Sequence, residues 1–247
     1  MDKDFYLQYA AVEDKHWWFI GRRSIINRVI HKLGLSKNSS ILEVGCGTGG
    51  NLKMLSHHGR LSAMETDEVA CEIANKRQVS PVLTGRLPKN IPFEGTYDLI
   101  VMLDVLEHIE DDVATLKALN NKLSSQGWLL ITVPAYQFLW SKHDEINHHK
   151  RRYASNNLRE LVKNTGYTVV YSSYFNSILF PLIASIRFLQ KLLPQKKSEF
   201  SSDLALPKPS INKFLSILLK SEGYFMNKFS LPFGVSILLL AKKNHKL

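Results

Sequence analysis

The chain has 247 residues, 45% of them apolar, which suits one globular domain with a full core and excludes a disordered or fibrous chain. Two cysteines, Cys46 and Cys71, make no disulfide framework, the Met-Asp-Lys-Asp start has no secretory core, and no charge-free stretch reaches transmembrane length, so a cytoplasmic protein is expected. The net charge of +10 is uneven: residues 187–247 hold eleven Lys and Arg against three acids, and the remainder carries a net of only +2.

In chain order, helices are expected over Phe5–Trp18 and Arg22–Leu33, followed by alternating strands and helices as far as Ala135. Ile41, Leu42 and Val44 form a short buried strand with Glu43 set among them. It runs into the turn Gly45-Cys46-Gly47-Thr48-Gly49-Gly50 and then a helix-compatible stretch. Glycines at this spacing let backbone approach a ligand without a Cβ, and the next helix offers its free N–H groups. The spacing alone is that of any nucleotide-type site. A second strand ends at Glu65, about 20 residues on, where an acid suits ribose hydroxyls. Asp67 reads as the N-cap of a helix over 68–77. A third strand spans 81–85, a fourth ends in Asp104-Val-Leu-Glu-His108, and a helix from Asp111 or Asp112 precedes the fifth strand at 128–133. After a helix over 156–164, closed by Gly166, come a strand at 167–174 and a last one at 236–242.

With Glu43 two residues before Gly45, and the alternation Gly45-x-Gly47-x-Gly49, the chain resembles the class I S-adenosylmethionine (SAM)-dependent methyltransferases. The Asp104–His108 block matches that family's fourth-strand end. The start His16-Trp-Trp-Phe-Ile-Gly-Arg-Arg23, the segment His143-Asp-Glu-Ile-Asn-His-His-Lys-Arg-Arg-Tyr153 and the ending from Leu231 are similar to one bacterial subgroup. Where relatives have a short connection between the last two strands, the roughly sixty residues 175–235 of this chain read as a helical insertion of the same domain. The resemblance implies an α/β, Rossmann-like, seven-stranded, mostly parallel sheet with an antiparallel last strand and N-terminal helices. It divides the chain into an N-terminal helical cap, 1–37, and a methyltransferase domain, 38–247, with insertion 176–234. It implies SAM as cofactor, held by Glu43, Gly45, Cys46, Gly47, Gly49, Glu65, Thr66, Leu87, Asp104, Val105 and Arg22. Where family members often carry an adenine-binding acid this chain has Gly85 and Arg86, which leaves adenine to backbone and Leu87.

Methyl transfer asks for alignment and removal of a proton, so few side chains are obligatory. The segment after the fifth strand supplies His143 and His148 as candidate bases, in the position where ligands sit on open α/β sheets. Metal ligation by His143, Asp144 and His148 is disfavoured by the adjacent cations, and no metal is expected. The basic run 148–152 lacks a nucleic-acid module, so no nucleic acid is expected. Trp17, Trp18, Arg22 and Arg23 read equally as a closure over the cofactor or as a staple that docks the N-terminal helix.

The insertion holds two apolar stretches, Ile178–Leu193 and Ile211–Phe225, around a Ser/Pro/Lys linker. Ile178, Leu179, Phe180, Leu182, Ile183, Ile186, Phe188 and Leu189 are too apolar for a surface helix. The plainer expectation is a cap packed on the protein's own core. The sharper one is a lipid groove or peripheral membrane contact through 178–230, with Arg187, Lys191, Lys196 and Lys197 facing head groups on the inner face of the membrane. Together these readings give a methyltransferase acting on oxygen of a small-molecule, glycan or polyprenol/lipid-linked acceptor. An NAD(P)-dependent oxidoreductase explains the glycines but not Glu43 or the Asp104–His108 block. The other rival is a non-catalytic SAM-fold module that binds a membrane or a partner.

Overall fold

The computed structural model describes residues 3–192, 205–226 and 228–244. Seven strands form one sheet: β1 (Ser40–Val44), β2 (Arg60–Glu65), β3 (Val82–Thr84), β4 (Tyr97–Leu103), β5 (Leu123–Pro134), β6 (Tyr167–Phe175) and β7 (Ser236–Lys243). Their order is β3-β2-β1-β4-β5-β7-β6, and only β7 runs antiparallel to its neighbours. This is the doubly wound sheet with one reversed strand that the sequence implies.

The helices are α1 (Lys3–Val12), α2 (Trp17–His31), α3 (Leu52–Ser56), α4 (Glu68–Asn75), α5 (Asp112–Asn121), α6 (Lys142–Ile146), α7 (Ser155–Asn164), α8 (Phe180–Leu192) and α9 (Pro209–Phe225). β4 shows why both faces are covered. Ile100 and Met102 join a core with Leu116 and Leu119 of α5 and Leu158 and Val162 of α7. Leu99, Val101 and Leu103 point the other way, to Ile25, Ile26 and Ile30 of α2 and Leu219 of α9. A strand buried on both sides reads as a continuous apolar run, and Leu-Ile-Val-Met-Leu is one.

The first helical boundary differs from the expectation. The chain breaks at residues 13–16, not after Trp18, because His16 acts as N-cap and its ring accepts from Trp18 N–H at 3.3 Å. Trp17 and Trp18 thus open α2, and Trp18 stacks on Phe175 with ring centroids 5.7 Å apart. Asp67 caps α4 as expected, accepting from Val69 and Ala70 N–H at 2.9 and 3.1 Å.

The two insertion helices behave differently. α9 packs along α2, so closely that a Cβ on Gly21 would lie 2.6 Å from Leu219 Cδ2. Glu222 of α9 is buried and accepts from Ile178 N–H at 2.9 Å, which ties α9 to the start of the insertion. For α8 the plainer expectation, a cap packed on the core, is not met. Leu182, Ile186, Phe188 and Leu189 stay exposed, while α9 is the insertion helix that packs on α2. Among the described residues, no helix is long and apolar enough to cross a membrane. Lys196 and Lys197 lie outside the described residues.

Candidate functional site

A cavity of about 1200 Å³ opens at the carboxyl ends of β1, β2 and β4, where ligands sit on open α/β sheets. Its floor is Val44–Thr48, Met64–Thr66 and Leu103–Val105, and its walls come from α1, α2, the segment 143–152 and α8.

The glycine turn is shaped by two demands. Gly45 has φ +69°, and a Cβ there would lie 2.6 Å from Val105 Cγ2, so the β1 and β4 ends close against each other only without a side chain. Gly47 has φ +55° and open space where a Cβ would be, and its backbone meets the cavity directly. Gly49 does not line the cavity; it sits against Leu52, Ala74 and Arg77 behind the turn. Cys46 lines the cavity from a largely buried position, and burial pushes its thiol pKa up, so it is no thiolate nucleophile.

Glu65 is held in place. Its Oε2 accepts from Gly47 N–H at 2.8 Å, and its Oε1 accepts from Thr66 and Asp67 N–H at 2.8 and 3.2 Å. A carboxylate fixed in this way, at the rim of a cavity, can accept from a pair of hydroxyls. Thr66 and Leu87 line the same side, and Thr66 Oγ1 donates to Gly85 carbonyl at 3.0 Å.

Glu43, in contrast, lies beneath the turn and does not line the cavity. It is buried, accepts from Asn51 Nδ2 at 2.9 Å, and burial raises its pKa to about 8. Asn51 is the residue of this pair that reaches the cavity. Glu43, expected to face a cationic ligand directly, thus sits behind Asn51 relative to the cavity.

Arg22 and Asp104 both line the cavity and form an ion pair, Arg22 Nη1 to Asp104 Oδ2, while Thr132 Oγ1 donates to Asp104 Oδ1 at 3.0 Å. Arg22 Nε is buried with no hydrogen-bond partner among the described residues, a donor available to an anionic group. Trp17 and Trp18 line the cavity, and Trp18 docks α2 through its stack on Phe175, as the staple reading expects. The turn is clamped from outside as well. Glu13 Oε1 accepts from Thr48 Oγ1 at 2.6 Å and from Arg77 Nη2, and Arg77 Nε donates to Thr48 carbonyl at 2.7 Å. Glu13 was not legible as a loop partner, since nothing in a helical stretch marks which acid folds back.

Both candidate bases, His143 and His148, line the cavity. His143 accepts at Nε2 from Asn147 Nδ2 at 3.2 Å, and His148 is exposed with φ +55°. The structure also orients a third imidazole, His149, which the sequence offers in the same segment. His149 Nδ1 is 2.8 Å from Asp144 Oδ1, a carboxylate–imidazole pair that orients the ring. Asp144 is fully buried, which alone would raise its pKa. Hydrogen bonds from His149 and Arg152 outweigh the burial and hold the carboxyl well below the usual range. Arg152 donates from Nε and Nη2 at 2.8 and 3.0 Å. With Asp144 committed to these partners, the set His143, Asp144 and His148 weighed from the sequence is not the one whose donor atoms converge; that set is Glu107, His108 and His149. His108 packs edge-on against His149 with centroids 4.6 Å apart, and burial, then His149, lowers its pKa to about 4.

With that geometry in view, comparison with known proteins is specific. The profile of the family described as "Methyltransferase domain" matches residues 16–172. The mitochondrial ubiquinone biosynthesis O-methyltransferase of Schizosaccharomyces pombe is 27% identical over 119 residues, 45% of this chain and 43% of that protein. An uncharacterised methyltransferase of Staphylococcus carnosus is 27% identical over 147 residues, 58% of this chain and 70% of that protein. The match thus spans less than half the length of the first relative. Among solved structures, a SAM-dependent methyltransferase from Clostridium acetobutylicum superposes with TM-score 0.57 at 13% identity, covering 90% of this chain and 91% of that one. Phosphoethanolamine N-methyltransferase 2 of Haemonchus contortus, in complex with SAM, gives 0.59 at 16% identity, covering 89% and 52%. At these identities the structures establish the fold alone.

Proposed function

The chain belongs to the methyltransferase-domain family, and on that premise we propose that it is a SAM-dependent methyltransferase acting on an oxygen of an amphiphilic acceptor, a glycan or small polar group carried on a polyprenol or other lipid. The observation that carries the acceptor reading is α8. Its Ile183 and Arg187 line the cavity wall, and its Leu182, Ile186, Phe188 and Leu189 are exposed beside that wall. A polar head inside the cavity and an apolar tail along α8 would satisfy both surfaces. The relative named as an O-methyltransferase supports oxygen as the methylated atom. The same exposed face supports peripheral contact with the inner face of a membrane. Family membership displaces the nicotinamide oxidoreductase reading.

SAM, when bound, supplies a methyl group on a sulfonium, already a good leaving group. In our reading Glu65 takes the ribose hydroxyls, Leu87 lies against the adenine, and the Gly45–Gly47 backbone carries the amino-acid portion. Arg22 turns its unpartnered Nε to the carboxylate, and Asn51, backed by Glu43, faces the ammonium group. Trp17 and Trp18 close the cavity from the α2 side and exclude water. His143 or His148 removes the acceptor's proton.

The test has two stages. Titration with S-adenosylhomocysteine should show saturable binding that Glu65→Ala weakens, and unchanged affinity in that variant removes Glu65 from the ribose role. Methyl-labelled SAM is then incubated with the protein and either a lipid extract or an aqueous extract of bacterial cell envelope. Label in the lipid phase, stable to mild alkali as a methyl ether is, is the expected result. Label confined to aqueous products overturns the lipid-linked acceptor. Tight cofactor binding with no transfer to either extract favours a non-catalytic module.

A further inference from the structure

We propose that Glu107, His108 and His149 form a site for a divalent first-row transition-metal ion in the wall of the cavity. One carboxylate oxygen and one nitrogen from each imidazole all lie within 4.8 Å of one another. Small side-chain adjustments bring such a set to the roughly 2.0–2.2 Å bonds of these metals.

Three further observations go beyond proximity. Glu107 is completely buried, and neither of its carboxylate oxygens has a hydrogen-bond partner among the described residues. A buried carboxylate with two idle oxygens needs either a proton or a cation, and it borders the cavity together with both histidines. Each imidazole, moreover, has one nitrogen occupied by an oxygen acceptor. His149 gives Nδ1 to Asp144 Oδ1 at 2.8 Å, and the His108 ring is hydrogen-bonded to the Asn147 main chain. That leaves one lone-pair nitrogen on each ring, in the carboxylate–histidine–metal arrangement that fixes ligand orientation. Finally, the nearest guanidinium groups are already neutralised: Arg152 is bound to Asp144 and Arg22 to Asp104. Glu107 is therefore left without a paired counter-charge among the described residues.

The donor set selects the ion class. Two imidazoles and one carboxylate suit Zn²⁺, Fe²⁺, Co²⁺ or Ni²⁺ better than Mg²⁺ or Ca²⁺, which prefer oxygen alone. Three protein ligands leave positions facing the cavity, and oxygen donors of the acceptor would complete them. That last role rests on the reading of this cavity as the acceptor site; binding of the ion itself does not.

Co²⁺ is a direct probe. The full chain, stripped with EDTA and titrated with Co²⁺, should develop visible ligand-field absorption that saturates at one equivalent and is bleached by Zn²⁺. Glu107→Gln and His149→Gln should each weaken Co²⁺ binding by about tenfold or more while S-adenosylhomocysteine still binds. Proton NMR of the wild-type Co²⁺ form makes the test independent of how the variants fold, with two hyperfine-shifted, exchangeable imidazole N–H signals expected. Absence of saturable absorption, absence of those signals, or Co²⁺ affinity unchanged in both variants overturns the proposal. Loss of S-adenosylhomocysteine binding by the wild type, with Co²⁺ binding intact, would instead overturn the cofactor assignments and leave the metal site standing.

Discussion

Arg22, in the second turn of α2, pairs with Asp104 at the carboxyl end of β4, and Asp104 holds φ +56° while Thr132 fixes its other oxygen at 3.0 Å. One carboxylate thus joins the N-terminal helices to the central sheet at the cavity floor. Its removal strands a nearly buried guanidinium, and an alanine also tolerates the left-handed backbone less well than aspartate. Asp104→Ala should cost on the order of 2 kcal/mol, between the values for exposed and fully buried pairs, because Asp104 is partly exposed. Asp104→Asn keeps the Thr132 bond and should cost less. Urea unfolding of the two variants checks the order, and an Asp104→Ala protein as stable as wild type contradicts it.

Gly45 and Gly47 separate folding from binding. Both hold positive φ, which costs a side chain roughly 1–2 kcal/mol. Only Gly45 adds a clash, with Val105 at 2.6 Å, and overpacking adds about 1–3 kcal/mol. Gly45→Ala should therefore melt well below Gly47→Ala, and Val105→Ala should restore part of the loss. A methyl at Gly47 meets no protein atom and projects into open space, so its main effect should fall on S-adenosylhomocysteine affinity. Calorimetric titration beside thermal melts of the same variants resolves the two effects. Equal melting temperatures for the two alanine variants would rule out the Val105 overlap.

Glu43 predicts a pH dependence with a definite sign. Burial raises its folded pKa to about 8 from an ordinary 4.5. The folded state therefore holds the proton that the unfolded chain releases, and stability linked to Glu43 is fully present below about pH 4.5 and lost as pH rises to about 8. Glu43→Gln carries no such proton and retains an oxygen for Asn51. The stability of the variant relative to wild type should grow between pH 5 and pH 8 and level off above it. Paired urea titrations across that range measure the difference, and a gap independent of pH means that Glu43 is ionised throughout.

The glycine turn, the placing of Glu65 at the end of β2, the N-cap at Asp67 and the sequence positions of the strands were legible because each rests on local chemistry: turn backbone, capping and apolar runs bounded by turn residues. What was not legible depends on distant contacts. His108 belongs to a motif that the sequence reading did identify, yet its partner His149 comes 41 residues later, brought over when Lys150 N–H donates to the Glu107 carbonyl at 2.7 Å. Glu43 sits one strand position from the cavity, and no pattern reveals that Asn51 stands between them. The apolar residues of α8 looked like core because composition cannot say which of two apolar helices, α8 or α9, packs on α2.

That exposed face of α8 gives the last prediction. Leu182, Phe188 and Leu189 are 60%, 64% and 54% exposed, so replacing all three with serine should change stability little. Full burial of such a side chain contributes about 1.5–3 kcal/mol, so half-burial of three in a lipid surface contributes roughly 2–4 kcal/mol. The triple variant should then bind anionic vesicles about 30-fold or more weakly, by the factor of ten that accompanies each 1.4 kcal/mol. Val170→Ser, which removes a similarly exposed apolar residue on β6 and not on α8, should leave vesicle binding unchanged. Sedimentation with vesicles rich in anionic lipid makes the comparison. Equal losses in both proteins would mean that apolar exposure in general drives adsorption. A loss confined to the α8 variant, with S-adenosylhomocysteine affinity intact, would assign the lipid contact to the same helix whose Ile183 and Arg187 line the cavity, as a lipid-linked acceptor requires.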